Sequence, residues 1–434
     1  MIMTKNYFIT LLILLSLPLR SLAQSGTNSP YSQYGLGVMS DYSQSMNRGM
    51  AGTGIALRMS NQVNTLNPAS YSGVDSLTML FDAGLSLSIT NFEEGNRKLN
   101  ANSANFEYFA GSFRLCKNLG LGFGVLPFTN IGYEYSSSST INQTEFSTTT
   151  STETYEGEGG IHQILLGLGW QPVKGFSIGI NASYLYGSYE RSISITNSDS
   201  YVNTVTKTYE ADVKSYLLQF GAQYQFAVGK KDLITLGLTY TDGHSLKSNP
   251  KYISTNSNPQ TSVSTSDTIT IHNGLYMPDM WGAGLSWSHD NKLTVAFDYT
   301  LQKWEGLQYP EVNVNTGEYE MVDGKYLDRH KYSFGAEYVN NPLSRKFIDR
   351  VRIRLGASYN TPYITVNGID GPKEYSLSFG LGLPIINGWN NRSMLNISAQ
   401  WTRADSSQLI TENSFRINIG FTFNERWFMK WKVE

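Results

Sequence analysis

The chain has 434 residues, with 33 basic against 35 acidic side chains, a formal charge of −2 and one cysteine. That balance excludes the basic surface of a nucleic-acid binder, and a single thiol excludes an internal disulfide framework. With 40% hydrophobic, 13% aromatic and 16% charged residues, and no run of about 18 apolar residues after Ala23, helical membrane spans are excluded and a sheet with singly spaced apolar positions is favoured.

Residues 1–23 read as a secretory signal peptide: Lys5, an apolar core from Tyr7 to Leu17 closed by Pro18, then Ser21-Leu22-Ala23 with small residues where a signal peptidase cuts. Cleavage after Ala23 puts the mature start at Gln24. It removes Lys5 and Arg20, leaving 31 − 35 = −4. No cysteine follows the cleavage site, which argues against a lipid anchor.

Residues 24–75 form an N-terminal segment that reads as a plug, or hatch, in a barrel lumen. Its centre runs from Met46 to Ser72 and carries Gly49, Gly52 and Gly54, the polar Ser60, Asn61, Gln62 and Asn64, then Asn67-Pro68-Ala69. Glycine permits close backbone approach and proline removes a donor, so this is compact irregular backbone in need of shelter. The G-x-x-G-x-G spacing is not the dinucleotide fingerprint, and no strand-turn-helix unit surrounds it. A flexible N-terminal arm is the plainer alternative.

Residues 76–434 show period-2 alternation. The first strand is expected from Ser76 to Ile89, and the pattern recurs at Tyr216 to Phe226, Leu293 to Gln302, Tyr375 to Leu383 and Phe415 to Phe423. Apolar faces end in aromatic residues such as Trp170, Tyr184, Tyr186, Trp281, Trp287 and Trp401, which suits interfacial girdles. The opposite faces carry small uncharged residues with Asp82, Asp298, Glu337, Arg352 and Arg354, as fits a polar lumen. Six short connections (117–118, 172–175, 229–232, 289–292, 340–349, 387–393) alternate with seven long ones (91–105, 136–154, 196–205, 244–271, 307–328, 366–373, 404–414). Thirteen connections require fourteen strands. The expectation is an all-β, 14-stranded antiparallel transmembrane β-barrel in the bacterial outer membrane, because lipid cannot satisfy an open sheet edge. The Ser/Thr-rich tracts 136–151 and 254–266 read as solvated loops or, less simply, as glycan-contacting surfaces.

A wall of fourteen strands behind a compact segment ending in Asn67-Pro68-Ala69 resembles the FadL-type outer-membrane transporters of hydrophobic compounds, over almost the whole mature chain. The resemblance implies that Gly49, Gly52, Gly54, Asn67, Pro68 and Ala69 belong to a hatch. It also implies that the third strand, Leu119 to Phe128, carries a kink opening a lateral exit at Gly122, Gly124, Pro127 and Phe128. Trp304, Phe334 to Tyr338 and Arg354 to Pro362 match the family's ninth to eleventh strands. Two features depart from it: Thr129 and Asn130 stand where the family usually has glycine, and the chain ends in an aromatic tail (Trp427, Phe428, Trp431) and not on a terminal aromatic residue. The missing backbone donor of Pro127 either opens the wall or ends the embedded part of the strand.

The function implied is a hatch-gated channel for uptake of fatty-acid-like small molecules, with membrane lipid and a hydrophobic ligand as partners. The alternative is a FadL-like barrel reused as a protein-interaction subunit or shuttle in an outer-membrane secretion or assembly complex, docking other outer-membrane proteins. No cofactor, metal or catalytic set is expected. His162, His244, His272, His289 and His330 are scattered, and Cys116 reads as a small filler.

Overall fold

A computed structural model describes residues 26–76, 78–143, 148–313, 316–386, 392–406 and 408–425. The expected signal peptide with its cleavage site, Leu77 and the aromatic tail lie outside the described residues.

Fourteen wall strands follow one another in chain order: β1 Met79–Glu94, β2 Arg97–Cys116, β3 Leu119–Gln143, β4 Thr148–Val173, β5 Phe176–Asn197, β6 Thr204–Val228, β7 Asp232–Thr241, β8 Asp279–His289, β9 Leu293–Lys303, β10 Arg329–Val339, β11 Arg352–Asn360, β12 Lys373–Ile386, β13 Arg392–Asp405 and β14 Thr411–Glu425. Each pairs antiparallel with its sequence neighbours. The sheet closes where β1 meets β14, from Met79↔Glu425 to Glu93↔Thr411. This closed 14-strand antiparallel barrel is the expected one.

The outer face is apolar. Leu85, Leu87 and Ile89 on β1, Ile164, Leu166 and Leu168 on β4, and Phe415, Ile417, Ile419, Phe421 and Phe423 on β14 are all exposed, and so are Trp170, Tyr184, Trp281, Trp287 and Trp401. In water such a belt would be untenable; in a bilayer it is the lipid-facing surface with its aromatic girdles. The protein is therefore a multi-pass barrel of the bacterial outer membrane.

The expected long loops are mostly strand. β1 and β2 run on to a tight turn with Glu94 opposite Arg97, so the first strand ends at Glu94 and not at Ile89. β3 to β6 are 25, 26, 22 and 25 residues long, whereas crossing a membrane takes about 9–11. Their Ser/Thr-rich ends continue the ladder outside the bilayer, and a hairpin, Lys251–Ser257 with Ser264–Thr270, adds to β6. The tracts read as solvated loops thus form a raised blade, because Thr and Ser on a twisted ladder favour strand once a neighbour supplies the pairing. Beneath it, Tyr31, Leu36, Phe128, Ile131, Tyr189, Val213, Leu246, Met277, Trp304 and Tyr363 form one buried apolar cluster capping the outer mouth. Trp304, just past β9, is fully buried and donates from Nε1 to Gln302 Oε1 at 2.9 Å.

Candidate functional site

The lumen is built from three parts: an inner segment of residues 43–74, an N-terminal arm of residues 26–42, and the inward side chains of the wall. The inner segment is mostly buried, with residues 58–61 half-buried. Its short helix, Ser45–Arg48, ends at Gly49, whose missing Cβ matters because that atom would lie 3.2 Å from the backbone of Gly380 on β12. Gly52 adopts φ +80, a conformation other residues rarely hold. Gly54 is tied back by Asn64, whose Nδ2 donates to its carbonyl at 2.7 Å.

Asn67, Pro68 and Ala69 start a 3-10 turn, Pro68–Gly73. The Asn67 Oδ1 accepts from the Ala69 N–H at 3.1 Å, and its Nδ2 donates to the Ile55 carbonyl at 2.9 Å and to the Ala222 and Leu238 carbonyls of β6 and β7 at 3.2 and 3.3 Å. A buried Asn with this many partners is a cap and a bracket in one, which is why Asn precedes the Pro here. The wall makes room with glycine. A Cβ on Gly221 would fall 2.1 Å from Asn67 Oδ1.

Charged groups clamp the segment. Asp298 Oδ2 on β9 accepts from the Gly54 and Ile55 backbone N–H groups at 2.6 and 2.9 Å. Arg48 is buried and reaches Glu107 on β2 at 2.9 Å and Asn418 on β14 at 2.9 Å. Ser45 Oγ donates to Asp82 at 3.1 Å, and Asp82 also accepts from Tyr108 and Thr422. Glu337 accepts from both Arg352 and Arg354. The inward acids and bases expected to line a wet channel are instead spent on buried contacts around and below this segment, with Asp298 Oδ1 and Arg354 Nη2 left over from the pairing.

Above it lies a cavity of about 340 Å³, within the range of small-molecule sites. One side is the more apolar, with Val38, Met39, Tyr42, Phe128, Leu165 and Leu217 set among Gln163, Asn181, Ser183 and Gln219; the other carries Gln302, Lys331, Ser358, Gln400 and Arg329, which is paired with Glu374 at 3.2 Å. Lys331 stands close to Asp41 of the arm. Burial alone would raise the Asp41 carboxyl, but the charges of Lys331 and Arg48 and bonds from Ser43 outweigh it and hold it below the usual carboxylate range.

The wall is split beside the apolar face. β2 and β3 are laddered from Cys116↔Leu119 only as far as Phe109↔Val125. Beyond that, among the described residues, β2 pairs with β1 alone and β3 with β4 alone on the wall. Phe106, Phe109 and Val125, at the point of parting, are exposed on the lipid side. At Pro127 the β3–β4 register slips, from Pro127↔His162 to Thr129↔Ile161, leaving Phe128 as a bulge turned inward and fully buried. Thr129 and Asn130 are the residues that meet the arm: Val38↔Asn130 and Met39↔Thr129.

Of the residues singled out by sequence, Pro127 and Phe128 border the seam. Gly122 and Gly124 lie on the laddered part below it, and Gly122 makes room for the Tyr71 ring, where a Cβ would come within 2.4 Å. Asn67-Pro68-Ala69 packs against β4, β5 and β6, apart from the seam. Cys116 is exposed at the foot of β2 and fills no gap. Sequence reasoning missed the clamp at Asp298 as a clamp, the arm's strand pairing and the receiving glycines of the wall. Among the described residues no group of His, Cys, Asp and Glu could hold a metal ion.

A family model described as BamG matches residues 3–434. No curated protein matches significantly. Solved structures share the barrel fold at low identity. A Pseudomonas aeruginosa FadL homologue superposes with a TM-score of 0.62 at 12% identity, covering 89% of this chain and 99% of that one. The Ralstonia pickettii toluene transporter TbuX gives 0.59 at 15%, covering 88% and 98%. The Pseudomonas putida toluene transporter TodX gives 0.60 at 15%, covering 91% and 100%. The FadL-type resemblance thus holds for the fold.

Proposed function

The chain belongs to the BamG family, and on the geometry of its lumen we propose that it is an outer-membrane channel for hydrophobic small molecules with an anionic head, fatty-acid-like in build. The observation that carries this is the mixed lining of the cavity, where Val38, Met39 and Phe128 supply apolar surface and Lys331 and Arg329, beside Asp41 and Glu374, supply positive charge. An apolar chain gains by leaving water at about 25 cal/mol per Å², and a carboxylate gains a charge-assisted partner. Residues 43–74 act as the hatch, with Gly49, Gly52, Gly54 and Asn67-Pro68-Ala69 as its fitted core. Cargo leaves sideways where β3 parts from β2 at Pro127 and Phe128. The similar solved structures described as toluene transporters support, by analogy of fold, a hydrophobic cargo and not its anionic head.

The test is saturable binding of a fluorescent long-chain carboxylate to the purified full-length barrel. Lys331→Gln is expected to weaken it about tenfold, the loss of one hydrogen bond to a charged group; absence of saturable binding would overturn the reading. A second reading, a docking subunit of an outer-membrane secretion or assembly complex, is favoured by one observation: the Asn67 turn and the Asp298 and Arg48 clamps hold the inner segment on many strands at once. A barrel of that kind is better suited to presenting surfaces than to passing cargo.

A further inference from the structure

The parting of β2 from β3 leaves a problem of backbone chemistry. A strand that stops pairing within reach of lipid exposes N–H and C=O groups that hydrocarbon cannot satisfy, and each such group costs several kcal/mol in a bilayer. The chain answers with its own arm. Val38 and Met39 form a two-residue strand antiparallel to Thr129 and Asn130, and Ser40 N–H donates to the Phe128 carbonyl at 3.1 Å. Ser32 Oγ accepts from the Gly132 N–H at 3.1 Å and lies 3.3 Å from its carbonyl. On the other bank, Asn105 donates to the Gly26 carbonyl at 2.9 Å and Asn28 to the Asn102 carbonyl at 3.3 Å.

The arm is therefore a stand-in strand, and a thin one. It offers β3 a two-residue ladder extended by the Ser40 N–H, and otherwise side-chain bonds through Ser32, Gln33, Ser40 and Tyr42; a full strand would offer a rung at every second residue. Its hold on β2 is by two side-chain amides. Val38 and Met39 already lie in the seam as extended chain, and apart from the arm neither bank has a wall partner beyond Phe109↔Val125 among the described residues, the feature that recruits another strand.

We propose that the β2–β3 seam is a strand-acceptor site for an extended segment of another outer-membrane polypeptide, occupied at rest by residues 26–40. A hydrocarbon cargo would leave the edges unpaired; a polypeptide strand pairs both. This deepens the docking-subunit reading and gives it an address on the wall, with its lower end at Phe109 and Val125 facing lipid and its upper end standing above the bilayer, where an extended segment of a neighbouring outer-membrane polypeptide can reach it. Displacing the arm also removes Val38, Met39 and Tyr42 from the cavity lining.

The test uses the full chain in its native membrane. A photoreactive residue is placed at Asn102 on one bank or at Glu134 on the other, in a Cys116→Ser background, with and without the pair Met39→Cys and Thr129→Cys, which in the oxidised state ties the arm to β3. Heat-modifiable mobility in cold detergent gels checks that each variant is folded. The expected result is that both positions crosslink to one and the same segment of a second polypeptide, that the product is lost in the oxidised pair, and that reduction restores it. Products confined to the chain's own arm or to lipid, or a crosslink indifferent to the lock, would overturn the proposal. Carboxylate binding by the same preparations is read separately, so the channel reading stands or falls on its own.

Discussion

Removing the carboxylate of Asp298 separates an inner segment that is held from one that is only packed. Its Oδ2 is the acceptor for two consecutive backbone N–H groups, at Gly54 and Ile55, and the residue is 4% exposed. In Asp298→Ala both donors lose their partner. A buried donor left unpaired costs about 1–3 kcal/mol; with a water admitted to the space left behind, the loss for the pair is about 2–3 kcal/mol. At 1.4 kcal/mol per factor of ten, local opening of this stretch becomes about 30- to 150-fold more frequent. The assay is amide hydrogen exchange read on peptides spanning residues 50–59 in nanodiscs, with the β-strand peptides as internal controls. Asp298→Asn, which keeps one acceptor oxygen, should show a smaller rise, below about tenfold. Unchanged exchange in a folded Asp298→Ala barrel would mean that the glycine contacts alone retain the segment, and the clamp argument would be refuted.

Gly221→Val should disrupt docking of the Asn67 turn, since even the first added carbon meets Asn67 Oδ1 at 2.1 Å; a loss of about 1–3 kcal/mol is expected from overpacking, read as a lower unfolding temperature in detergent. Arg48→Ala strands Glu107 in a buried site and should cost about 3–5 kcal/mol, while the double change Arg48→Met with Glu107→Leu should recover much of it, as a thermal-melt cycle would reveal. Asn67→Ala removes a cap and several brackets, and should raise exchange in residues 64–74 by at least about tenfold. Asp41 has a depressed folded-state pKa, so its contribution is complete above the ordinary value of 3.8 and fades as pH falls through the lower folded value. Protection of the arm should accordingly be flat from neutral pH down to about 5 and decline only in stronger acid, measured by exchange at fixed temperature.

The barrel was legible because its lipid face must be apolar at every second residue: the runs at Leu85, Leu87, Ile89 and Phe415, Ile417, Ile419 give one-sided strands, which a soluble sandwich would share, and the aromatic ends, the small uncharged polar face and the alternating connections decide for the barrel. Where strands stop was not legible, since water outside the bilayer tolerates either loop or ladder. Ser136 to Gln143 and Thr148 to Thr154 therefore look like loop until they are laid beside each other and beside β5. The seam was half legible. Pro127 marked a break by its missing donor, but nothing in the side-chain pattern of Asn100 to Phe106 tells that β2 has lost its partner, because alternation records which face is wet and not which edge is paired. The wall glycines were hidden for a related reason: an inward glycine reads as a small lumen residue until the backbone it receives is known.

Those inward glycines carry a consequence for the order of assembly. Contacts from Gly221, Gly335, Gly356, Gly380 and Gly420 to the inner segment are distributed over β6, β10, β11, β12 and β14, and the last rungs to form in chain order are those of β14 on β1. Residues 43–74 precede the whole wall in the chain and meet it from β6 round to β14, a mandrel whose girth the closed cylinder has to match.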